Sequence, residues 1–167
     1  EAIKKIFWRN HLLSFKSEYE LVNSLKQKSD NHRLILKKDA EDQKFLLRFL
    51  KDNKTSFKFD NPETLKQLWN ICRIPDYQNI SDEKHIELLT KIFNELIKNK
   101  WTLSDSFLEH QTSYLQNYNG SIDDLIYNLN ETRTWLYVTN QKHWISNSIW
   151  VETVQNIENK LSEEIHL

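Results

Sequence analysis

The sequence predicts an all-α, multi-helix bundle of about six to seven helices, and three features carry the prediction. One Gly and two Pro in 167 residues are too few for the tight turns of sandwiches, barrels or Gly-rich phosphate loops. Apolar residues recur at intervals of three and four through most of the chain, the period of an amphipathic helix. Ser, Asn or Asp stands just ahead of most of these stretches, where a side-chain oxygen satisfies the first free amides of a helix. Six Trp, six Tyr and eight Phe supply core material that a disordered chain lacks.

Taken in order, the first helix is expected over about Glu18 to Lys26, opened by a Ser17/Glu20 capping box and burying Leu21, Val22 and Leu25. Leu34-Ile35-Leu36 is a short apolar run suited to extended chain. Asp39 is placed to cap the next helix, with Phe45, Leu46, Phe49 and Leu50 on one face. Asn61-Pro62 starts another, since Pro suits the first helical position, and Leu65, Leu68, Trp69 and Cys72 form its stripe. Pro75 ends it. Ser81 caps a helix that buries Ile86, Leu89, Ile92, Phe93, Leu96 and Ile97. Ser104 or Ser106 opens one with Phe107, Tyr114, Leu115 and Tyr118 on its face, and Asn119-Gly120 stops it through a left-handed Gly. Ser121 with Asp124 caps the next, which carries Ile122, Leu125, Ile126, Leu129 and Leu136. The last begins near Ser146 to Ser148 and shows Trp150, Val154, Ile157, Leu161 and Ile165 at helical spacing.

We read residues 1–167 as one helical accessory domain: a basic N-terminal segment, 1–58, and a helical bundle, 59–167. The Asn/Lys stretch Asp52–Asp60 is the candidate boundary. With no Met, and a start at Glu1 that reads as mid-helix, the chain is expected to be a fragment of a larger protein. Cys72 is the sole cysteine, which excludes an intrachain disulfide and fits a reducing compartment. No apolar window reaches the length of a membrane span.

The net charge of -1 is unevenly spread: residues 1–60 carry 14 Lys/Arg against 9 Asp/Glu, and residues 101–167 carry 3 against 9. A polyanion would therefore meet the basic third first, at Lys37 and Lys38. Arg133 among Trp135 and Tyr137 interleaves a cation with aromatic rings, and Lys142-His143-Trp144 does so in the following connector. Both patterns suit phosphate contact and base stacking; the competing reading is that the tryptophans pack between helices. Lys37, Lys38, Arg133, Lys142 and Trp144 are the candidate nucleic-acid contacts.

No catalytic constellation stands out. Asp82-Glu83-Lys84-His85 spells the DExH helicase motif, but it opens a helix, and one Gly cannot build a P-loop. The carboxylate-x-x-His pairs Asp82/His85 and Glu163/His166 lack the further inward carboxylates of a di-iron bundle, so no metal site is expected. Cys72 lies on an apolar stripe and reads as a structural thiol.

The block Leu68-Trp69-Asn70-Ile71-Cys72-Arg73-Ile74-Pro75-Asp76-Tyr77 resembles the Trp-x-x-Cys-x-Ile-Pro-Asp-aromatic block in bacterial relatives of the mitochondrial degradosome (suppressor-of-Var type) DExH superfamily-two RNA helicases. Gly120-Ser121-Ile122-Asp123-Asp124-Leu125, Arg133-Thr134-Trp135, Trp144-Ile145 and the run Ile157 to His166 follow in the family's order. The resemblance covers about residues 65–166, with Ser121 and Asn159 standing where the family has acidic residues. It implies a C-terminal helical region that packs on two RecA-like domains and helps enclose an RNA strand. ATP and Mg would belong to those RecA-like domains, and this fragment would hold no cofactor. The implied partners are RNA, the RecA-like domains of the same chain and an exoribonuclease. The implied location is the bacterial cytoplasm, or alternatively the mitochondrial matrix. The expected function is thus a non-catalytic accessory domain of an ATP-dependent RNA helicase, guiding single-stranded RNA or bracing the RecA-like core. A helical protein–protein adaptor is the alternative.

Overall fold

The computed structural model describes residues 4–166. Helices take 60% of the chain and strands 5%, so the fold is all-α, with seven α-helices among the described residues. The chain divides into two compact units at Arg73/Ile74.

The first unit runs β1 (Ile6–Trp8), α1 (Glu18–Lys26), β2 (Leu34–Leu36), α2 (Glu41–Asp52) and α3 (Pro62–Cys72). The helix read at Glu1 lies outside the described residues; the chain that follows is the strand Ile6–Trp8, not helix. β1 and β2 pair in parallel, with Phe7 opposite Ile35, and α1 makes the crossover that a parallel pair requires. Asn10 holds this turn of chain: its side-chain amide donates to the Ser24 carbonyl at 2.8 Å, and its Oδ1 accepts from Leu12 N–H at 3.1 Å.

Ser17 caps α1, accepting from Glu20 N–H at 3.1 Å, but the Glu20 carboxylate takes the Ser14 hydroxyl instead of completing the box. Ala40, not Asp39, is the N-cap of α2, and no side chain caps it. Phe45, Leu46, Phe49 and Leu50 are buried as their spacing predicts, as are Leu65, Leu68, Trp69 and Cys72 along α3. Asn61 caps α3 ahead of Pro62, accepting from Glu63 N–H at 2.8 Å. Stretch 52–60 joins α2 to α3 within this unit, where Phe57 and Phe59 gather on the Phe49 ring.

The second unit runs α4 (Asp82–Lys98), α5 (Asp105–Thr112), a 3-10 turn (Ser113–Gln116), α6 (Ile122–Thr139) and α7 (Ile149–His166). α6 and α7 pack along one another. Ser81 caps α4 through Lys84 N–H, and Ser121 with Asp124 forms a complete capping box on α6. The chain leaves α4 through Lys100 and Trp101, both at positive φ (53° and 66°), a conformation that costs a non-Gly residue about 1–2 kcal/mol. Leu103 N–H then donates to the Trp144 carbonyl at 2.8 Å, tying the α4–α5 connector to the α6–α7 connector.

Three expectations fail here. The helix after Ser104 does not run on to Gly120: it tightens into the 3-10 turn, and Leu108 and Leu115 point inward while Tyr114 is exposed. Gly120 has no positive φ; its role is spatial, because a Cβ there would sit 2.9 Å from Cβ of the capping Asp124. Ile97, Ile122 and Ile126 are exposed rather than buried. On α6 the inward stripe runs Leu125, Leu129, Thr132, Trp135 and Val138. Its threonines stay satisfied by donating to the carbonyl one turn back, as Thr132 does to Asn128 at 2.7 Å.

Candidate functional site

The residues proposed for nucleic-acid contact fall in both units: Lys37 and Lys38 in the first, Arg133, Lys142 and Trp144 in the second. Arg133 is solvent-exposed on α6 and, among the described residues, makes no ion pair. Leu136, Tyr137 and Asn140 follow at helical spacing on the same face. With Tyr77 from the segment before α4 and Glu158 from α7, they line an open cleft of about 490 Å³. A guanidinium beside two phenol rings is what single-stranded nucleic acid uses: a cation for phosphate and flat faces for bases. Tyr77 was missed by periodicity because it comes from a connector, and Glu158 because it comes from a different helix.

Trp144 is a correction. Its ring is 0% exposed, so no face is open to a base, and the residue plugs the α6–α7 connector onto the helices. Trp135 is equally enclosed, edge-on to Phe107 with ring centroids 5.9 Å apart, and its indole N–H has no hydrogen-bond partner. Trp69 is buried too, with the Arg9 guanidinium 5.8 Å from its ring centre. Lys142, between Trp144 and the end of α6, is exposed.

Lys37 and Lys38 are exposed at the end of β2, and they are not alone. With Lys26 and Lys28 they surround a groove of about 380 Å³ floored by Val22, Leu25, Leu36 and Leu47. This is the feature of the first unit that linear reading missed: the end of α1 and the end of β2 bring together lysines from two stretches of the sequence, beside apolar residues of α1, β2 and α2. The pairing of Val22 with Lys26 one turn apart on α1 was its single visible sign.

The DExH tetrapeptide does structural work. Asp82 and Glu83 occupy the first turn of α4, where carboxylates suit the positive helix end. His85 is buried, with Nε2 2.9 Å from the Ile74 carbonyl and Nδ1 3.6 Å from the Asp76 carboxylate. A carbonyl only accepts, so Nε2 carries the proton and donates. Cys72 is buried, and burial, with the Asp42 carboxylate adding to it, pushes its thiol far above the usual range. That holds it as an inert, neutral thiol. Among the described residues no three His, Cys, Asp or Glu side chains gather as a metal site would require, and no helix is long and apolar enough to cross a membrane. No protein-family model matches the chain, and no curated protein or solved structure matches it significantly.

Proposed function

We propose that this chain is a non-catalytic helical accessory domain that guides single-stranded RNA for an ATP-dependent RNA helicase of the degradosome type its sequence resembles. The observation that supports the reading is the cleft in which Arg133 stands with Tyr77 and Tyr137. The division of labour is chemical. Arg133 neutralises a phosphate, the two phenol rings stack bases without regard to sequence, and Lys142 adds a second cation in the neighbouring connector. ATP and Mg act in RecA-like domains elsewhere in such a helicase, and an exoribonuclease would take the strand it releases. The setting is the bacterial cytoplasm or the mitochondrial matrix.

Fluorescence anisotropy of a labelled single-stranded RNA across a salt series tests this. Roughly micromolar binding that weakens with salt is expected, and Arg133→Ala should flatten the log–log salt slope by about 0.7, one phosphate contact. Tyr77→Ala and Tyr137→Ala should each cost about 1–3 kcal/mol of binding. No binding at low salt would refute direct strand contact. The adaptor reading is favoured by a different observation, the apolar floor of the lysine groove.

A further inference from the structure

We infer that the groove of the first unit docks an amphipathic helix of a partner protein whose apolar stripe is flanked by Asp or Glu. The groove shares no residue with the Arg133 cleft, so the inference stands or falls independently of RNA binding there.

Three observations converge. The floor is mostly aliphatic: Val22 and Leu25 from α1, Leu36 from β2 and Leu47 from α2, with one polar residue, Gln43, whose amide donates to the Leu25 carbonyl at 3.3 Å. Leu47 is 44% exposed although its neighbours Leu46 and Leu50 are buried, so α2 turns one apolar residue away from its own core. Second, the rim is cationic. Lys26, Lys28, Lys37 and Lys38 all line the groove, no carboxylate does, and among the described residues none of the four forms an ion pair. Four neighbouring ammonium groups repel one another in the free chain, and an acidic occupant converts that repulsion into attraction. Third, no aromatic residue lines the groove. Bases would find no stacking platform, and phosphates gain nothing from an aliphatic floor. The chemistry that uses both parts is an aliphatic stripe with carboxylates on its flanks. In a helix, residues at i, i+3, i+4 and i+7 supply the stripe and the positions beside them the acids.

The test is anisotropy of a fluorescein-labelled helical peptide of about five turns, with Leu in the stripe and Glu on both flanks, against the full chain. A second peptide carries Lys in place of each Glu. The acidic peptide should bind at roughly micromolar Kd, at least about tenfold tighter than the basic one. Leu47→Asp should abolish binding. Lys37→Glu combined with Lys38→Glu should weaken it about tenfold and remove its salt dependence. These positions are exposed or half-exposed, and an unchanged melting curve would show that each variant folds. Equal binding of both peptides, no binding of either, or binding that survives Leu47→Asp would overturn the inference. Displacement of the peptide by oligouridine would also overturn it and assign the groove to RNA. Arg133→Ala should leave peptide binding unchanged while lowering RNA affinity.

Discussion

Replacing Trp144 with Ala separates the two roles that its position in a Lys-His-Trp connector invites. The side chain is fully enclosed, and its backbone carbonyl holds the Leu103 amide at 2.8 Å. A buried Trp removes about 150–250 Å² from water, and at about 25 cal/mol/Å² this corresponds to about 4–6 kcal/mol as an upper bound. Alanine keeps one carbon of that area and the cavity collapses in part, so the expected loss is about 3–5 kcal/mol. Urea denaturation followed by far-UV circular dichroism reads it as a lower midpoint for the second unit, with RNA affinity unchanged under conditions where the variant remains folded. A stability loss below about 1 kcal/mol together with a tenfold loss of RNA binding would refute the reasoning, because it would make Trp144 an open stacking residue.

Other substitutions test the framework around the site. Lys100→Gly relieves a left-handed residue (φ 53°) at the end of α4 and should raise stability by about 1 kcal/mol in the same denaturation assay. Trp150→Phe removes the indole N–H that donates to the Asp105 carboxylate at 2.7 Å, and should cost about 1.5–3 kcal/mol, since the acceptor is charged. Cys72 should stay silent to Ellman's reagent in the folded chain up to mildly alkaline pH and react fully in guanidinium, because burial disfavours the thiolate.

How legible this was depended on the range of the interaction concerned. Caps are local, and Ser17, Asn61, Ser81, Ser104 and Ser121 all sit where a side-chain oxygen meets a free amide. The inward stripes of α2, α3 and most of α4 were legible for the same reason: each is set by its own 3.6-residue period. The α5 face was misread because the 3-10 turn changes the period, so Tyr114 faces out while Leu115 faces in. On α6 the apolar Ile122 and Ile126 face outward while Thr132 and Thr134 face inward, an inversion that threonine's back-bond to the helix permits and hydropathy does not register. The parallel β1–β2 pair was half legible: Leu34–Leu36 is apolar and β-prone, but its partner Ile6–Trp8 lies beyond an entire helix.

The candidate sites follow the same rule. Arg133 and Tyr137 were visible together because they are one helical turn apart, and Tyr77 joins them only through tertiary structure. Lys37 and Lys38 were visible as charge, but the aliphatic floor beside them is assembled from three elements. Trp144 was misassigned because composition alone does not distinguish an exposed aromatic from a plug; its enclosure depends on the pairing of two distant connectors.

The most direct test of the RNA reading is photocrosslinking of the intact chain to a single-stranded RNA containing 5-iodouridine, with the attached peptides mapped by mass spectrometry. The account predicts adducts on Tyr77 or Tyr137, the rings that flank Arg133, and their loss at high salt. Adducts confined to the Lys26–Lys38 stretch, or none under conditions where anisotropy reports binding, would contradict it.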